Sequence, residues 1–132
     1  MDQNFTRSVL SWYDAGHRDL PWRRTKDAYR IWVSEIMLQQ TRAETVVSYY
    51  ERFLARYPDV RALADAQEEE LLKAWEGLGY YSRARSLQKA AKVIVSQYGG
   101  ELPADLEKLR ALPGIGDYTS GAIASIAFGV PA

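Results

Sequence analysis

The sequence contains no cysteine and only one histidine, His17, among its 132 residues. Without cysteine it can form neither a disulfide bond nor a thiolate metal site, and a single histidine argues against an imidazole-rich zinc site. No apolar run approaches the ~20 residues of a membrane-spanning helix, and the start of the chain lacks the basic and apolar regions of a secretory signal. We therefore expect a soluble intracellular protein with no metal site and no membrane partner.

The sequence also lacks a net charge, since 17 basic residues balance 17 acidic ones, but the two signs are segregated along it. Residues 68–70 are all glutamate, whereas residues 80–97 hold no acid and several bases: Arg83, Arg85, Lys89 and Lys92. A basic face and an acidic, solvated back are typical of a nucleic-acid-binding domain. The alternative is that these charges are segregated on helices without a function.

Apolar residues recur at helical spacing through most of the chain, and no run of alternating β-branched residues indicates a strand. We predict an all-α, single helical domain over residues 1–132, with its compact part at 28–129. The predicted helices are 5–16, 28–40, 43–57, 60–66, 68–76 and a long basic helix that ends near 97. A helix, a glycine turn and a second helix follow at about 105–129.

The glycine turn has the sequence Leu-Pro-Gly-Ile-Gly at residues 112–116. Pro113 ends the preceding helix because it has no N–H, while Gly114 and Gly116 allow backbone angles that other residues resist. Asp117 is the predicted N-cap of the next helix. Such a turn leaves backbone N–H groups accessible at a helix N-terminus, where a phosphate binds well. The pattern resembles a helix-hairpin-helix that grips a nucleic-acid backbone; the alternative is an ordinary helix corner.

Glu35 lies in a predicted helix that is apolar almost all round, which implies burial of the helix. An ionised carboxylate in this position would be costly, so the pKa of Glu35 should rise. A carboxyl that stays protonated near neutral pH is what a general acid requires. The alternative is a structural glutamate that caps a neighbouring helix or pairs with a buried arginine.

Aromatic residues occupy two turns marked by proline or glycine. Trp22 follows Pro21 and precedes two arginines, which suits either a base-stacking platform or a plug for the core, and the residues alone favour the plug. Tyr80 and Tyr81 follow a Gly-Leu-Gly turn at residues 77–79. This turn can project an aromatic wedge between base pairs, although we expect one of the two tyrosines to be buried in the core.

Four segments together resemble the adenine-specific mismatch DNA glycosylases of the MutY type. They are residues 20–23 (LPWR), 34–41 (SEIMLQQT), 75–85 (WEGLGYYSRAR) and 112–116 (LPGIG), in the order of that family and across nearly the whole chain. The wider superfamily includes endonuclease III, whose bifunctional members carry a lysine where this chain has Tyr118. The resemblance implies a helix-hairpin-helix DNA glycosylase fold, with the six-helix barrel half and the N-terminal helix.

The resemblance also implies an activity, namely a monofunctional DNA N-glycosylase of base excision repair. Such an enzyme binds double-stranded DNA, flips out adenine mispaired with 8-oxoguanine or guanine, and hydrolyses its N-glycosidic bond. Glu35 would protonate the adenine ring and Tyr118 would lie beside the sugar. The adenine pocket would include Arg18, Trp22, Arg23 and Leu38. Gln40 would fill the space in the duplex, Tyr80 would wedge beside 8-oxoguanine, and Thr41 and Leu78 would lie near that base. The expected DNA-backbone contacts are Gly114, Gly116, Arg83 and Arg85.

Some parts of the family do not occur in these residues: a catalytic aspartate, further helices, four cysteines that hold a 4Fe–4S iron–sulfur cluster, and an 8-oxoguanine-recognition domain. We therefore expect no cofactor in this chain, the cluster in full-length members, and a chain that is nearly inactive by itself. The first helix, 5–16, should be loosely held. We expect a bacterial cytoplasmic, nucleoid-associated location and no obligate protein partner. The alternatives are a non-catalytic helix-hairpin-helix DNA-binding module and a thymine-mismatch glycosylase, which residues 39–41 disfavour.

Overall fold

A computed structural model describes residues 20–39 and 41–130. The predictions for helix 5–16, Arg18 and Gln40 lie outside these residues. Within them, a short 3₁₀ turn, Pro21–Arg24, precedes seven α-helices and no strand occurs, which confirms the all-α prediction. The helices are α1 (Ala28–Met37), α2 (Ala43–Arg56), α3 (Val60–Ala64), α4 (Glu68–Trp75), α5 (Tyr81–Tyr98), α6 (Leu106–Arg110) and α7 (Asp117–Phe128). None of the helices in the described ranges combines the length and the apolar character needed to cross a membrane.

Aspartate side chains fix the start of three helices. The carboxylates of Asp27, Asp59 and Asp105 accept hydrogen bonds from the backbone N–H three residues on, at 3.1, 2.8 and 3.0 Å. These bonds satisfy N–H groups that the first helical turn leaves without a partner. The predicted cap at Asp27 is thus confirmed. Helix α1 ends at Met37, three residues before the predicted end.

The core is built around α1, which the sequence predicted to be apolar on nearly every face. Trp32, Val33 and Met37 are fully buried, and α1 packs against both α2 and α7. A second aromatic centre lies between α2 and α4, where the rings of Phe53 and Trp75 meet edge to face at 5.9 Å. The predicted burial of α1 is therefore confirmed, and it leaves Glu35 half-buried between the buried residues Ser34 and Ile36.

Helix α5 packs most extensively on α3, and a buried amide joins the two. The side-chain amide of Gln88 donates to the backbone oxygens of Leu63 and Ala66 at 3.3 and 2.7 Å. Arg61 donates to the carbonyl of Gly99 at 2.8 Å, at the other end of α5. The Gln88 bonds satisfy a polar group that burial would otherwise penalise, and together with the exposed Arg61 bond they hold α5 in place beside the hairpin.

The hairpin between α6 and α7 depends on one of its two glycines. Gly114 has φ +76°, and a Cβ built there would lie 2.8 Å from the Cβ of Ser86 on α5. Gly116 has ordinary extended angles, φ −95° and ψ −169°, and a Cβ there would meet nothing within 4 Å. The conformational prediction is therefore confirmed for Gly114 and wrong for Gly116.

The prediction for Asp117 is also wrong, by one residue. Gly116 occupies the N-cap position of α7 and Asp117 is the first helical residue, because the backbone becomes helical directly after the extended Gly116. The exposed Asp117 carboxylate lies 3.6 Å from Nη1 of Arg110 on α6. The side chain that was expected to cap α7 therefore pairs across the hairpin instead.

These two glycines provide a matched pair for mutation. We expect Gly114→Ala to lower the free energy of unfolding by about 1–3 kcal/mol, because a Cβ is strained at positive φ and crowds Ser86. Gly116→Ala should stay within about 0.5 kcal/mol of the parent chain. Urea denaturation followed by circular dichroism measures both, and equal losses in the two variants would contradict the assignment.

Candidate active site and nucleic-acid interface

Glu35 lies near the C-terminal end of α1, between the buried residues Ser34 and Ile36. The residue is half-buried, and burial raises the pKa of its carboxyl. No charged side chain in the described ranges contributes to that shift, so the alternative of an arginine partner finds no support there. Burial of this kind shifts the carboxyl toward its protonated form, which is the form that can donate a proton.

Tyr118 lies in the first turn of α7, the helix that packs directly on α1. Its side chain is 78% exposed, whereas the next two residues, Thr119 and Ser120, are buried. The burial of these neighbours fixes the orientation of the first turn. Because α1 and α7 pack together, the half-buried carboxyl of Glu35 and the exposed phenol of Tyr118 lie on two adjacent helices.

The turn before α5 places an aromatic side chain in solvent. Gly77, Gly79 and Tyr80 have φ of +100°, +77° and +54°, and Tyr80 is the one non-glycine residue in the described part of the chain with positive φ. A non-glycine residue in this region costs about 1 kcal/mol or more, and such strain is concentrated at functional sites. Tyr80 is 61% exposed and Tyr81 is 41% exposed. The expectation that one tyrosine is core is thus wrong, because Leu78 fills the core position.

The remaining predicted substrate residues differ in how far they are buried. Trp22 is half-buried and meets the ring of Tyr50 edge to face at 5.3 Å, as a plug would. Leu38 packs partly buried against the core, and Thr41 is also half-buried. Leu78 is only 5% exposed, so its side chain faces the core, and its place near 8-oxoguanine stays a prediction. Arg23 is exposed at the end of the 3₁₀ turn.

The two predicted phosphate contacts on α5 differ in their surroundings. Arg85 is exposed and pairs with Glu68 at 2.9 Å. Arg83 is half-buried, and its guanidinium donates to backbone carbonyls of the chain itself, the shortest bond being 2.7 Å to Ile36. Burial also lowers the pKa of Arg83. The structure therefore gives Arg83 internal hydrogen-bond partners, while its phosphate contact stays a prediction.

One pocket brings three segments together: the end of α1, the start of α5 and the hairpin turn. Its lining includes Ile36 and Gln39 from the first, Ser82 and Ser86 from the second, and Gly114 from the third. The lining residues of this pocket are thus close along the chain to Glu35, to Tyr80 and to the hairpin glycines. Sequence reasoning missed Ser86 and the inward position of Arg83. The sequence held one indication of the inward Arg83: the last turn of α1 has no basic residue of its own that could donate to its carbonyls.

The N-terminus of α7 has the features of an anion site. No side chain caps its N–H groups, and Gly114 and Gly116 are both exposed ahead of it. Unpaired N–H groups and the helix dipole favour a phosphate in such a place. No metal centre competes with this interpretation: the chain has no cysteine, and the described ranges contain no cluster of metal-ligating side chains. These residues therefore do not fit an iron–sulfur cluster.

An all-helical fold whose glycine hairpin exposes a helix N-terminus is the architecture of helix-hairpin-helix proteins. Residues 33–129 match the model of the HhH-GPD superfamily base excision DNA repair protein, and the chain belongs to this superfamily. Relatives named adenine DNA glycosylase are similar to it: 52% identity in Rattus norvegicus over 94% of this chain and 26% of the relative, and 51% in Homo sapiens over 95% and 24%. The chain thus spans about a quarter of these curated relatives.

Solved structures show the same fold. A thermostable thymine-DNA glycosylase superposes with a TM-score of 0.82 at 32% identity, covering 97% of this chain and 59% of that one. A non-covalent endonuclease III–DNA complex superposes with a TM-score of 0.75 at 26% identity, covering 100% and 62%. The predicted resemblance to the adenine-specific glycosylases and the predicted fold are both confirmed.

The raised pKa of Glu35 gives a prediction with a definite sign. A carboxyl whose pKa is higher in the folded state stabilises the fold below its unfolded-state pKa, and this stability is lost as the pH rises through the folded-state pKa. Glu35→Gln removes that loss, so we expect its melting temperature to exceed that of the parent chain at pH 7 to 8. At pH 4 the melting temperatures of Glu35→Gln and the parent chain should converge. Glu101→Gln, at an exposed position, is the control, and a less stable Glu35→Gln at neutral pH would contradict the assignment.

Proposed function

We propose that this chain forms the base-excising part of an adenine DNA glycosylase of base excision repair. Its substrate is adenine mispaired with 8-oxoguanine or guanine in double-stranded DNA. The observation that carries the proposal is the half-buried Glu35 on α1, with a raised pKa and an exposed Tyr118 on the helix packed against it. The names of the relatives support the same substrate base. Such an enzyme works where the chromosome lies, in a bacterium at the nucleoid.

The reaction begins when the adenine is flipped out of the stack, because its reacting atoms are inaccessible inside the duplex. Protonated Glu35 then donates its proton to a ring nitrogen of adenine, and the C1′–N9 electron pair leaves with the base. The sugar becomes an oxocarbenium-like cation. Water adds to C1′ and releases a proton, which completes the hydrolysis. A tyrosine hydroxyl cannot form a Schiff base, so Tyr118 fits hydrolysis without a lysine-type covalent intermediate.

Duplex binding is proposed to use two features at the same surface. The uncapped N-terminus of α7 holds a phosphate through its backbone N–H groups, and the exposed Tyr80 lies against the bases as a wedge. Neither contact reads sequence, which suits an enzyme that meets its lesion in any context. The acidic first turn of α4 remains on the solvated side.

A second candidate is a thymine-mismatch glycosylase, because a thymine-DNA glycosylase is among the structures with a similar fold. The two candidates share duplex binding and differ in the excised base. Release of adenine from an adenine:8-oxoguanine duplex supports the first, whereas release of thymine from a guanine:thymine duplex supports the second.

The hairpin predicts how this chain binds DNA. We expect salt-sensitive, sequence-independent duplex binding with a dissociation constant of roughly 10⁻⁴ to 10⁻⁶ M at physiological salt. Gly116→Ala should weaken it, because the added methyl group crowds the phosphate without disturbing the fold. Fluorescence anisotropy over a salt series measures this. Binding that is unchanged in Gly116→Ala and independent of salt would rule out the hairpin contact.

The chemistry predicts a loss on substitution of Glu35. We suggest a chimera in which this chain replaces the matching segment of the rat relative, assayed by single-turnover adenine release. Glu35→Gln in the chimera should slow release by ~10²–10⁴-fold. The 132 residues assayed by themselves should release adenine at least ~10²-fold more slowly than the chimera, because they include no counterpart of the aspartate that the resemblance implies for stabilising the cation. Full activity of the Glu35→Gln chimera would refute the general-acid assignment.

A further inference from the structure

Arg83 lies in the first turn of α5, and its side chain reaches back to two separate segments. Nη1 donates to the carbonyl of Ile36 at 2.7 Å, and Nη2 lies 3.3 and 3.4 Å from the carbonyls of Leu78 and Gly79. Nε is buried with no hydrogen-bond partner among the described residues. The guanidinium fork therefore bridges the end of α1 and the turn that carries Tyr80.

The carbonyl of Ile36 accepts a local and a distant hydrogen bond. The N–H of Gln39 donates to it at 3.3 Å, and Nη1 of Arg83 donates at 2.7 Å from another segment. Helix α1 has no basic residue of its own in this turn. A cation at this end also suits the helix dipole. Because Ile36 directly follows Glu35, the contact fixes the backbone beside the proposed acid.

The second arm of the fork holds a strained turn. Gly79 and Tyr80 both have positive φ, and the Gly79 carbonyl also accepts a bond from Nε1 of Trp75 at 3.2 Å. The Arg83 guanidinium carbon lies 5.4 Å from the centre of the Tyr80 ring and 5.7 Å from that of Trp75. Arg83 therefore positions Tyr80 in two ways: its guanidinium contacts backbone carbonyls of the turn, and it lies over the Tyr80 ring.

We propose that Arg83 is a positioning residue that fixes the Tyr80 wedge relative to the end of the helix carrying Glu35. It acts through Tyr80 and does not itself contact DNA. The inference rests on the proposed function, because it gives Tyr80 its role at the mispair. Lysine cannot replace Arg83, since an ammonium on a flexible stem lacks the planar fork that bridges two segments.

A phosphate contact by Arg83, as the sequence suggested, makes the opposite predictions. Lysine would then preserve binding, and Arg83→Gln would lower the salt slope of binding by about one. With a positioning role, Arg83→Gln leaves the salt slope unchanged and Arg83→Lys is already defective. Salt dependence therefore separates the two roles in the same variants.

The experiment is a double-mutant cycle between Arg83→Lys and Tyr80→Ala in this chain. The readout is fluorescence of 2-aminopurine next to an adenine:8-oxoguanine mispair, which reports unstacking by Tyr80. We expect Arg83→Lys to reduce the signal at saturation about 5-fold or more, and to have no further effect in Tyr80→Ala. Additive losses, or a lysine variant with the parent signal, would overturn the proposal.

Arg56→Lys is the matched control. Arg56 also lies over a tyrosine ring, at 5.8 Å from Tyr57, but it is exposed and pairs with the exposed Glu70 carboxylate at 2.7 Å. It should keep the parent fluorescence signal, so a general effect of losing a guanidinium is excluded. A purely structural role of Arg83 would lower the melting temperature and leave the signal of the folded protein intact, which would also overturn the proposal.

A DNA-free arm separates failure of this inference from failure of the proposed function. Without DNA, Arg83→Lys should speed amide hydrogen exchange at Gln39 and Leu78 together, because both belong to segments that the fork holds. Arg56→Lys should change neither. A parent chain that binds no duplex would refute the proposed function, while unchanged exchange at both amides would refute the bridge.

Discussion

Burial of α1 is the constraint on which the rest of the structure depends. Trp32, Val33 and Met37 are fully enclosed, and α2, α7 and the 3₁₀ turn all contact this helix. A helix buried on most of its surface has little room for a charged side chain, so Glu35 is held half-buried and the pKa of its carboxyl rises. The last turn of α1 also provides the Ile36 carbonyl, which accepts a hydrogen bond from Nη1 of Arg83. The proposed acid and the Arg83 bridge therefore depend on the same buried helix.

The surface turns are positioned by contacts that are too close for any residue other than glycine. Gly114 lies against Ser86 on α5, and a Cβ on Gly77 would collide with the hydroxyl of Tyr49, which donates to the Glu76 carbonyl at 2.7 Å. These contacts bring the hairpin and the Tyr80 turn onto a rigid helical frame. Within residues 20–39 and 41–130, Tyr80 is the non-glycine residue with a strained positive φ, and it is the exposed aromatic residue to which we assign a DNA contact. Strain at such a residue is stable only because the surrounding contacts fix it.

The superfamily fold does not by itself specify the excised base. A thymine-DNA glycosylase and endonuclease III share this architecture with the chain, and unrelated chemistries commonly occupy one fold. We therefore argue the reaction of this chain from individual side chains: Glu35 on α1, whose carboxyl has a raised pKa, and the exposed Tyr118 on the first turn of α7.

The sequence by itself determined the local structure: seven helices in the described part, the aspartate cap at Asp27, the glycine hairpin and the burial that raises the pKa of Glu35. Each depends on residue spacing or on contacts within a few residues, which a sequence pattern contains. Only the tertiary structure decided that Arg83 turns inward, that Asp117 pairs with Arg110, and that Leu78 fills the core while both tyrosines are exposed. Those outcomes depend on partners such as Ile36, 47 residues from Arg83, because a side chain on a surface helix takes its direction from whichever distant segment packs beside it.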